Sequence, residues 1–150
     1  MTIEKRQYIG VDIGGTTIKV GRYDDQGNSF AETQLLTPQP SLPGAVTTAV
    51  CELIDSIDIK QSANYVGIGL PGPTDSGFRV ARMCINFPGW IDVPLADWLE
   101  SRLKRKVTLA NDGNCALLGE TWKGAAKDFQ NVVLLTLGTG VGGGVMLNGK

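Results

Sequence analysis

Two glycine-rich segments, each placed after a run of strand-forming residues, carry the clearest chemistry in the chain. The first is Asp12-Ile13-Gly14-Gly15-Thr16-Thr17, and the second is Gly138-Thr139-Gly140-Val141-Gly142-Gly143-Gly144. Glycine lets a backbone turn tightly and come close to a ligand. Successive exposed N–H groups make a concave anion site. Two such turns can grip a polyphosphate from both sides, with the hydroxyl of Thr16 or Thr17 as an additional donor. Asn111-Asp112 ends another strand-like run and offers a carboxylate that can receive a hydroxyl proton. Held phosphates and a proton acceptor are the parts of phosphoryl transfer. Asp12 lies in an apolar strand and needs a partner there. A hydrated Mg²⁺ beside the phosphates would supply one through water, because that ion keeps its waters and takes few carboxylates.

The remaining composition narrows the chemistry further. No histidine occurs among the 150 residues, which excludes Ser-His-Asp and Cys-His catalysis within this chain. Hydrophobic content of 42% and charged content of 19% fit a globular chain with a core. A net charge of −1 gives no reason to expect nucleic acid or an acidic membrane as partner. No apolar run is long enough to span a bilayer, and the first residues lack the apolar segment of a signal peptide. Cys51, Cys84 and Cys115 are odd in number and widely spaced, as expected of buried free thiols in a reducing cytoplasm.

These groups need elements to position them. Strands are expected over residues 8–12, 17–23 and 29–36, with the turn residues Asp24-Asp25-Gln26-Gly27-Asn28 between the last two. A proline-rich loop follows over 37–43. Val46, Val50, Leu53, Ile54 and Ile57 then recur at helical spacing. A strand over 65–70 closes on Pro71-Gly72-Pro73, and 79–85 is expected to be extended. Pro94 suits the first turn of a helix whose buried stripe is Leu95, Trp98, Leu99 and Leu103. Next come a strand over 106–110, a helix over 113–123 with Ala116 and Leu117 inward, and strands over 132–137 and 144–147. The sum is an α/β chain whose sheet starts antiparallel and continues through helical crossovers. The expected division is 1–125 as one lobe and 126–150 as the opening hairpin of a second, with the boundary in the polar stretch 123–128.

Three familiar motifs are matched without their required context. Gly138-x-Gly140-x-x-Gly143 spells a dinucleotide fingerprint, but that motif must open a helix, and Val145-Met146-Leu147 reads as strand. Gly67-x-Gly69-x-x-Gly72 fails because Pro71 and Pro73 oppose the helix. Gly144 to Gly149-Lys150 resembles the start of a Walker A loop, but its interior of Val, Met and Leu belongs in a strand.

Five segments in order resemble the ROK family of sugar kinases, within the actin/hexokinase/Hsp70-like superfamily. They are Asp12-Ile13-Gly14-Gly15-Thr16, Gly67-Ile68-Gly69-Leu70-Pro71-Gly72, Asn86-Phe87-Pro88-Gly89-Trp90, Asn111-Asp112-Gly113-Asn114-Cys115-Ala116 with Gly119-Glu120, and Leu137-Gly138-Thr139-Gly140-Val141-Gly142-Gly143-Gly144. The resemblance implies ribonuclease-H-like lobes with ATP and sugar in the cleft between them. It assigns Asp112 as the base that accepts the sugar hydroxyl proton, and Asn111, Asn86 and Gly72 as sugar contacts. Asp12, Gly14, Gly15, Thr16 and Thr17 form the first phosphate site, and Gly138, Thr139 and Gly140 the second. Local readings stand beside these roles. Asp112 is also a residue type that caps a helix, and Asn111 and Asn86 are also turn formers. Position 17 is Thr where many members carry Lys.

The implied reaction is ATP- and Mg²⁺-dependent phosphorylation of a hexose, glucose to glucose 6-phosphate first. N-acetylmannosamine, N-acetylglucosamine and fructose remain open as substrates, and polyphosphate remains open as donor. A sugar-responsive regulator of the same family is the alternative, but the seven residues before Tyr8 are too few for a helix-turn-helix. Family members are longer, and bring further sugar ligands and a structural zinc site after the second phosphate loop. The full-length protein is expected to be a cytoplasmic homodimer, and the 150-residue chain alone to have little or no kinase activity.

Overall fold

The computed structural model describes residues 6–137 and 140–150, which fall into two units, one up to Ala110 and one from Asn111 onwards. The first unit is built on a five-stranded sheet in the order β3-β2-β1-β4-β7. Its strands are β1 (Gln7–Ile13), β2 (Thr17–Asp24), β3 (Ser29–Leu36), β4 (Ala63–Leu70) and β7 (Lys106–Asn111). β1 to β3 form an antiparallel meander, and β4 pairs parallel to β1 after the crossover helix α1 (Pro43–Ile57). The mixed sheet expected from sequence is therefore present.

The alternation of side chains along β1 sets the first functional residue. Ile9, Val11 and Ile13 are buried in the core, so the period of two turns Asp12 outward, where it is exposed. Asp12 thus lies at the surface of the sheet and not within its apolar face. The core beneath the sheet is completed by Val46, Val50 and Ile54 of α1 and by Leu95, Leu99 and Leu103 of α2 (Leu95–Leu103). Trp98 does not join that stripe. At about 100° per residue, the buried positions 95, 96, 99 and 103 lie within one arc of the helix, and Trp98 falls outside it and stays exposed. Pro94 sits just before α2 as its cap position rather than within the first turn. The segment expected to be extended near 79–85 forms β5 (Ala81–Met83), which pairs with a short β6 (Ile91–Val93) that has too few residues to show a period.

A buried carboxylate ties this unit together. Asp58, at the end of α1, accepts hydrogen bonds from the N–H groups of Ser62 and Ala63, each at 3.0 Å. It also meets Arg22 of β2 at 3.0 Å and Arg105, just before β7, at 2.9 Å. Burial by itself pushes the Asp58 carboxyl up. The two N–H groups, the Arg22 hydrogen bond and the charge of Arg105 together outweigh it and hold the carboxyl below its ordinary value. A carboxyl depressed in the folded state stabilises the fold above its unfolded pKa of about 3.9. That contribution is lost as pH falls through the depressed value. Urea unfolding of parent and Asp58→Asn between about pH 6 and pH 2 checks this. The parent's midpoint is expected to fall more steeply with acid than the variant's, and parallel curves would assign the acid sensitivity elsewhere.

The second unit holds α3 (Asp112–Trp122) and the antiparallel pair β8 (Val132–Leu137) and β9 (Val141–Met146). The division falls at 110/111, upstream of the polar stretch 123–128, because α3 packs on β8 and β9. β9 starts at Val141, three residues earlier than the sequence suggests. Gly142, Gly143 and Gly144 therefore lie in strand, opposite Thr136, Leu135 and Leu134, and not in the turn. Cys51 and Cys84 are buried and in no disulfide, as expected, but Cys115 on α3 is only half-buried.

Among the described residues no helix is long and apolar enough to cross a membrane.

Candidate active site

The first phosphate-type turn joins β1 to β2, with Ile13 opposite Ile18. Gly14 donates its N–H to the Thr17 carbonyl at 3.0 Å. That amide is used by the hairpin itself, which corrects the expectation that Gly14 would offer its N–H to a phosphate. The same close approach explains the glycine, because a Cβ at position 14 would lie 2.9 Å from the Thr17 oxygen.

The carbonyls of the turn are also engaged. Thr37, buried just past β3, donates its hydroxyl to the Gly14 carbonyl at 2.6 Å and its N–H to the Thr16 carbonyl at 2.9 Å. Gln39 Nε2 reaches the Gly15 carbonyl at 3.5 Å. In a trans peptide unit the C=O of one residue and the N–H of the next point in opposite directions. Carbonyls drawn toward 37–39 thus turn the N–H groups of Gly15, Thr16 and Thr17 the other way. The Gly15 and Thr16 amides have no acceptor among the described residues. Gly15 and Thr16 are exposed, and Asp12 is exposed at the end of β1. Asp12 precedes this turn in sequence and lies opposite Lys19 across the β1–β2 pair; an exposed carboxylate of this kind would hold a magnesium ion through water rather than directly. Among the described residues no cluster of three or more His, Cys, Asp or Glu is suited to hold a metal directly.

Gly72 and Asn86 belong to adjoining pieces of the same unit, joined by the Ile85 N–H to the Pro71 carbonyl at 3.3 Å. A Cβ on Gly72 would overlap the Met83 carbonyl. The glycine is thus required by the backbone of 83–84, whatever a sugar requires. Asn86 is exposed with a φ of 66°, a left-handed conformation that Asn tolerates better than most residues. Phe87 and Trp90 beside it are buried edge to face, and the Trp90 indole donates to the Ser41 carbonyl at 2.7 Å. Trp90 is a packing residue, as its indole bond shows.

The second unit opens at Asn111, the last residue of β7, and α3 follows it without a loop. Asn111 is the helix cap, its side chain accepting from the Asn114 N–H at 3.1 Å. The cap role that could have explained Asp112 therefore falls to its neighbour. Asp112 is the first helical residue and is exposed. Its Oδ1 accepts from the Gly113 N–H at 2.8 Å and from Asn111 Nδ2 at 3.1 Å. Its Oδ2 takes no hydrogen bond among the described residues. The carboxylate is thus fixed through one oxygen and presents the other.

The glycines of β9 pack against this first turn. A Cβ on Gly113 would lie 2.5 Å from the Gly143 carbonyl, and one on Gly144 would lie 3.0 Å from Leu117 Cδ2. Gly144 thus serves helix–strand contact, while a Cβ on Gly142 or Gly143 would meet β8, at Thr136 Oγ1 and the Leu134 carbonyl. Gly140, just before β9, is exposed and a Cβ there would meet nothing within 4 Å. Gly138 and Thr139 lie outside the described residues. The residue that sequence reading missed is Thr37, which it placed in a proline-rich loop. A hydroxyl residue directly after an alternating strand is the only local sign of it.

A mixed sheet in this order, opened by a glycine hairpin and followed by a carboxylate at a helix start, is the architecture of the actin-like kinases. The chain belongs to the ROK family, which it matches over residues 8–150. It is 41% identical over 145 residues to a glucokinase of Thermotoga maritima, covering 97% of this chain and 46% of that protein. It is 37% identical over 144 residues to an N-acetyl-D-glucosamine kinase of Pectobacterium carotovorum, covering 95% of this chain and 47% of that one. A ROK family glucokinase from Streptomyces griseus, solved with glucose and AMPPNP, superposes with a TM-score of 0.89 at 33% identity, over 96% of this chain and 45% of the other. The chain thus spans about half the length of the curated relatives it matches.

Proposed function

We propose that the intact protein is a hexose kinase that moves the γ-phosphoryl group of ATP to a sugar hydroxyl, with glucose at its 6-hydroxyl as the first substrate. The observation that carries this reading is Asp112. Its carboxylate is anchored at the first turn of α3 through Oδ1 and leaves Oδ2 to a ligand. Asn111 stands beside it, with Asn86 and Gly72 as further sugar contacts.

A carboxylate is a weak base for an alcohol in the ground state. It serves when proton transfer is late, after the phosphoryl bond has mostly shifted, so that its first task is to orient the hydroxyl. The phosphate oxygens are received by the N–H groups of Gly15 and Thr16, with the Thr16 and Thr17 hydroxyls as further donors. Gly138, Thr139 and Gly140 are assigned the second phosphate site on their sequence motif. Asp12 would hold a magnesium ion through water, and that ion would supply charge neutralisation at the phosphates. Amides fixed before the ligand arrives need no reorganisation during the reaction, which is where such sites gain most.

A coupled ADP-release assay of the intact protein against a panel of sugars tests the reading. Glucose-dependent turnover is the expected result. Faster turnover of N-acetylglucosamine, the substrate named for one relative, or of N-acetylmannosamine or fructose, would keep the kinase and change the sugar. Sugar binding without turnover would favour a regulator of the same family. Replacing ATP by polyphosphate in the same assay identifies the donor.

A further inference from the structure

Thr37 is distant from the phosphate hairpin in sequence, and neither the glycine motif nor the catalytic carboxylate points to it. It is 4% exposed, and its two polar groups are spent on one target. The hydroxyl donates to the Gly14 carbonyl at 2.6 Å, and the N–H donates to the Thr16 carbonyl at 2.9 Å. The two peptide units it grips are those that carry the N–H groups of Gly15 and Thr17. The hairpin does not do this by itself. Its cross-turn bond runs from the Gly14 N–H to the Thr17 carbonyl, and no return bond runs from the Thr17 N–H to the Gly14 carbonyl. Without the Thr37 hydroxyl the Gly14–Gly15 peptide unit, between two glycines, has no bond to hold it and is free to rotate.

We infer that Thr37 is a positioning residue for the nucleotide phosphates: its hydroxyl holds the Gly14 carbonyl back so that the Gly15 amide is aimed at the ligand before binding. The inference rests on the kinase reading above, which places the phosphates at this hairpin. Preorganisation of this kind lowers the cost of binding. Thr37→Val keeps the shape and removes the donor, and Thr37→Ser keeps the donor. Losing one such bond is expected to weaken ATP by about tenfold.

The test is steady-state kinetics and ATP titration of the intact protein as parent, Thr37→Val and Thr37→Ser, with a thermal melt of each. The inference predicts that Thr37→Val raises KM and Kd for ATP about tenfold, leaves KM for the sugar within about twofold, and is largely restored by Thr37→Ser. It is overturned if Thr37→Val binds ATP as the parent does. It is also overturned if ATP and sugar affinity weaken together with a lowered Tm, or if Thr37→Ser behaves like Thr37→Val. Should the parent hydrolyse ATP without any sugar, the kinase reading falls alone, and the ATP titration still decides the role of Thr37. A parent that binds no ATP would end both.

Discussion

Asp112→Asn in the intact protein is expected to lose about a hundred- to ten-thousand-fold in kcat, the range for removing a general base, while KM for ATP stays near that of the parent. The size of the loss follows from what the carboxylate does. Asparagine keeps an oxygen that can accept from the Gly113 N–H, so the start of α3 is expected to survive. The amide cannot take the proton of the sugar hydroxyl, and it replaces one carboxylate oxygen by a donor. Asp112 is expected to supply only one of several sugar contacts and none to the nucleotide, so binding should largely persist. Steady-state kinetics beside calorimetric binding separates these outcomes. A variant that keeps normal kcat would remove Asp112 from the reaction. A variant that loses binding and turnover together would make it a ligand contact or a fold residue instead.

The second large effect concerns stability. Asp58→Ala is expected to cost about 3–5 kcal/mol, the range for breaking a buried ion pair by deleting one partner. Asp58 sits between two guanidinium groups, and its loss leaves Arg105, buried as a residue, with uncompensated charge. The Ser62 and Ala63 N–H groups would lose their acceptor as well. Against a typical total of about 5–15 kcal/mol, such a loss leaves the first unit marginal. Urea unfolding of parent and variant at neutral pH measures it. A difference below about 1 kcal/mol would show that the site behaves like an exposed salt bridge.

Much of this architecture could be read from local pattern. The alternation in β1 to β3, the helical spacing of Val46, Val50, Leu53 and Ile54, and the Asp-Gly-Gly-Thr and Asn-Asp motifs are each contained in a few neighbouring residues. What could not be read depends on contacts made far along the chain. Asp58 shows no motif because its partners, Arg22 and Arg105, are brought to it by the sheet. Thr37 is a lone hydroxyl whose acceptors lie two strands earlier. Gly72 reads as a sugar-facing glycine and Gly143 sits in a glycine-rich run, but the close neighbours that require them are backbone, at Met83 in one case and Leu134 in the other. Trp98 differs in kind: it is a large apolar residue next to a helical stripe, but its angle on the helix places it outside the buried arc. The N-cap illustrates the limit of residue type alone. Asn111 and Asp112 are both good caps, and only the hydrogen bond to Asn114 shows which one caps and which one is left for chemistry.

The central claim is that Asp112 meets the acceptor hydroxyl of a sugar through the oxygen that the fold leaves unbonded. A crystal structure of the intact protein with its preferred hexose and a non-hydrolysable ATP analogue measures this directly. The account predicts Asp112 Oδ2 at hydrogen-bond distance, about 2.6–3.2 Å, from the hydroxyl that receives the phosphoryl group. A sugar bound with that hydroxyl facing another residue, and the Asp112 carboxylate left in solvent, would contradict it.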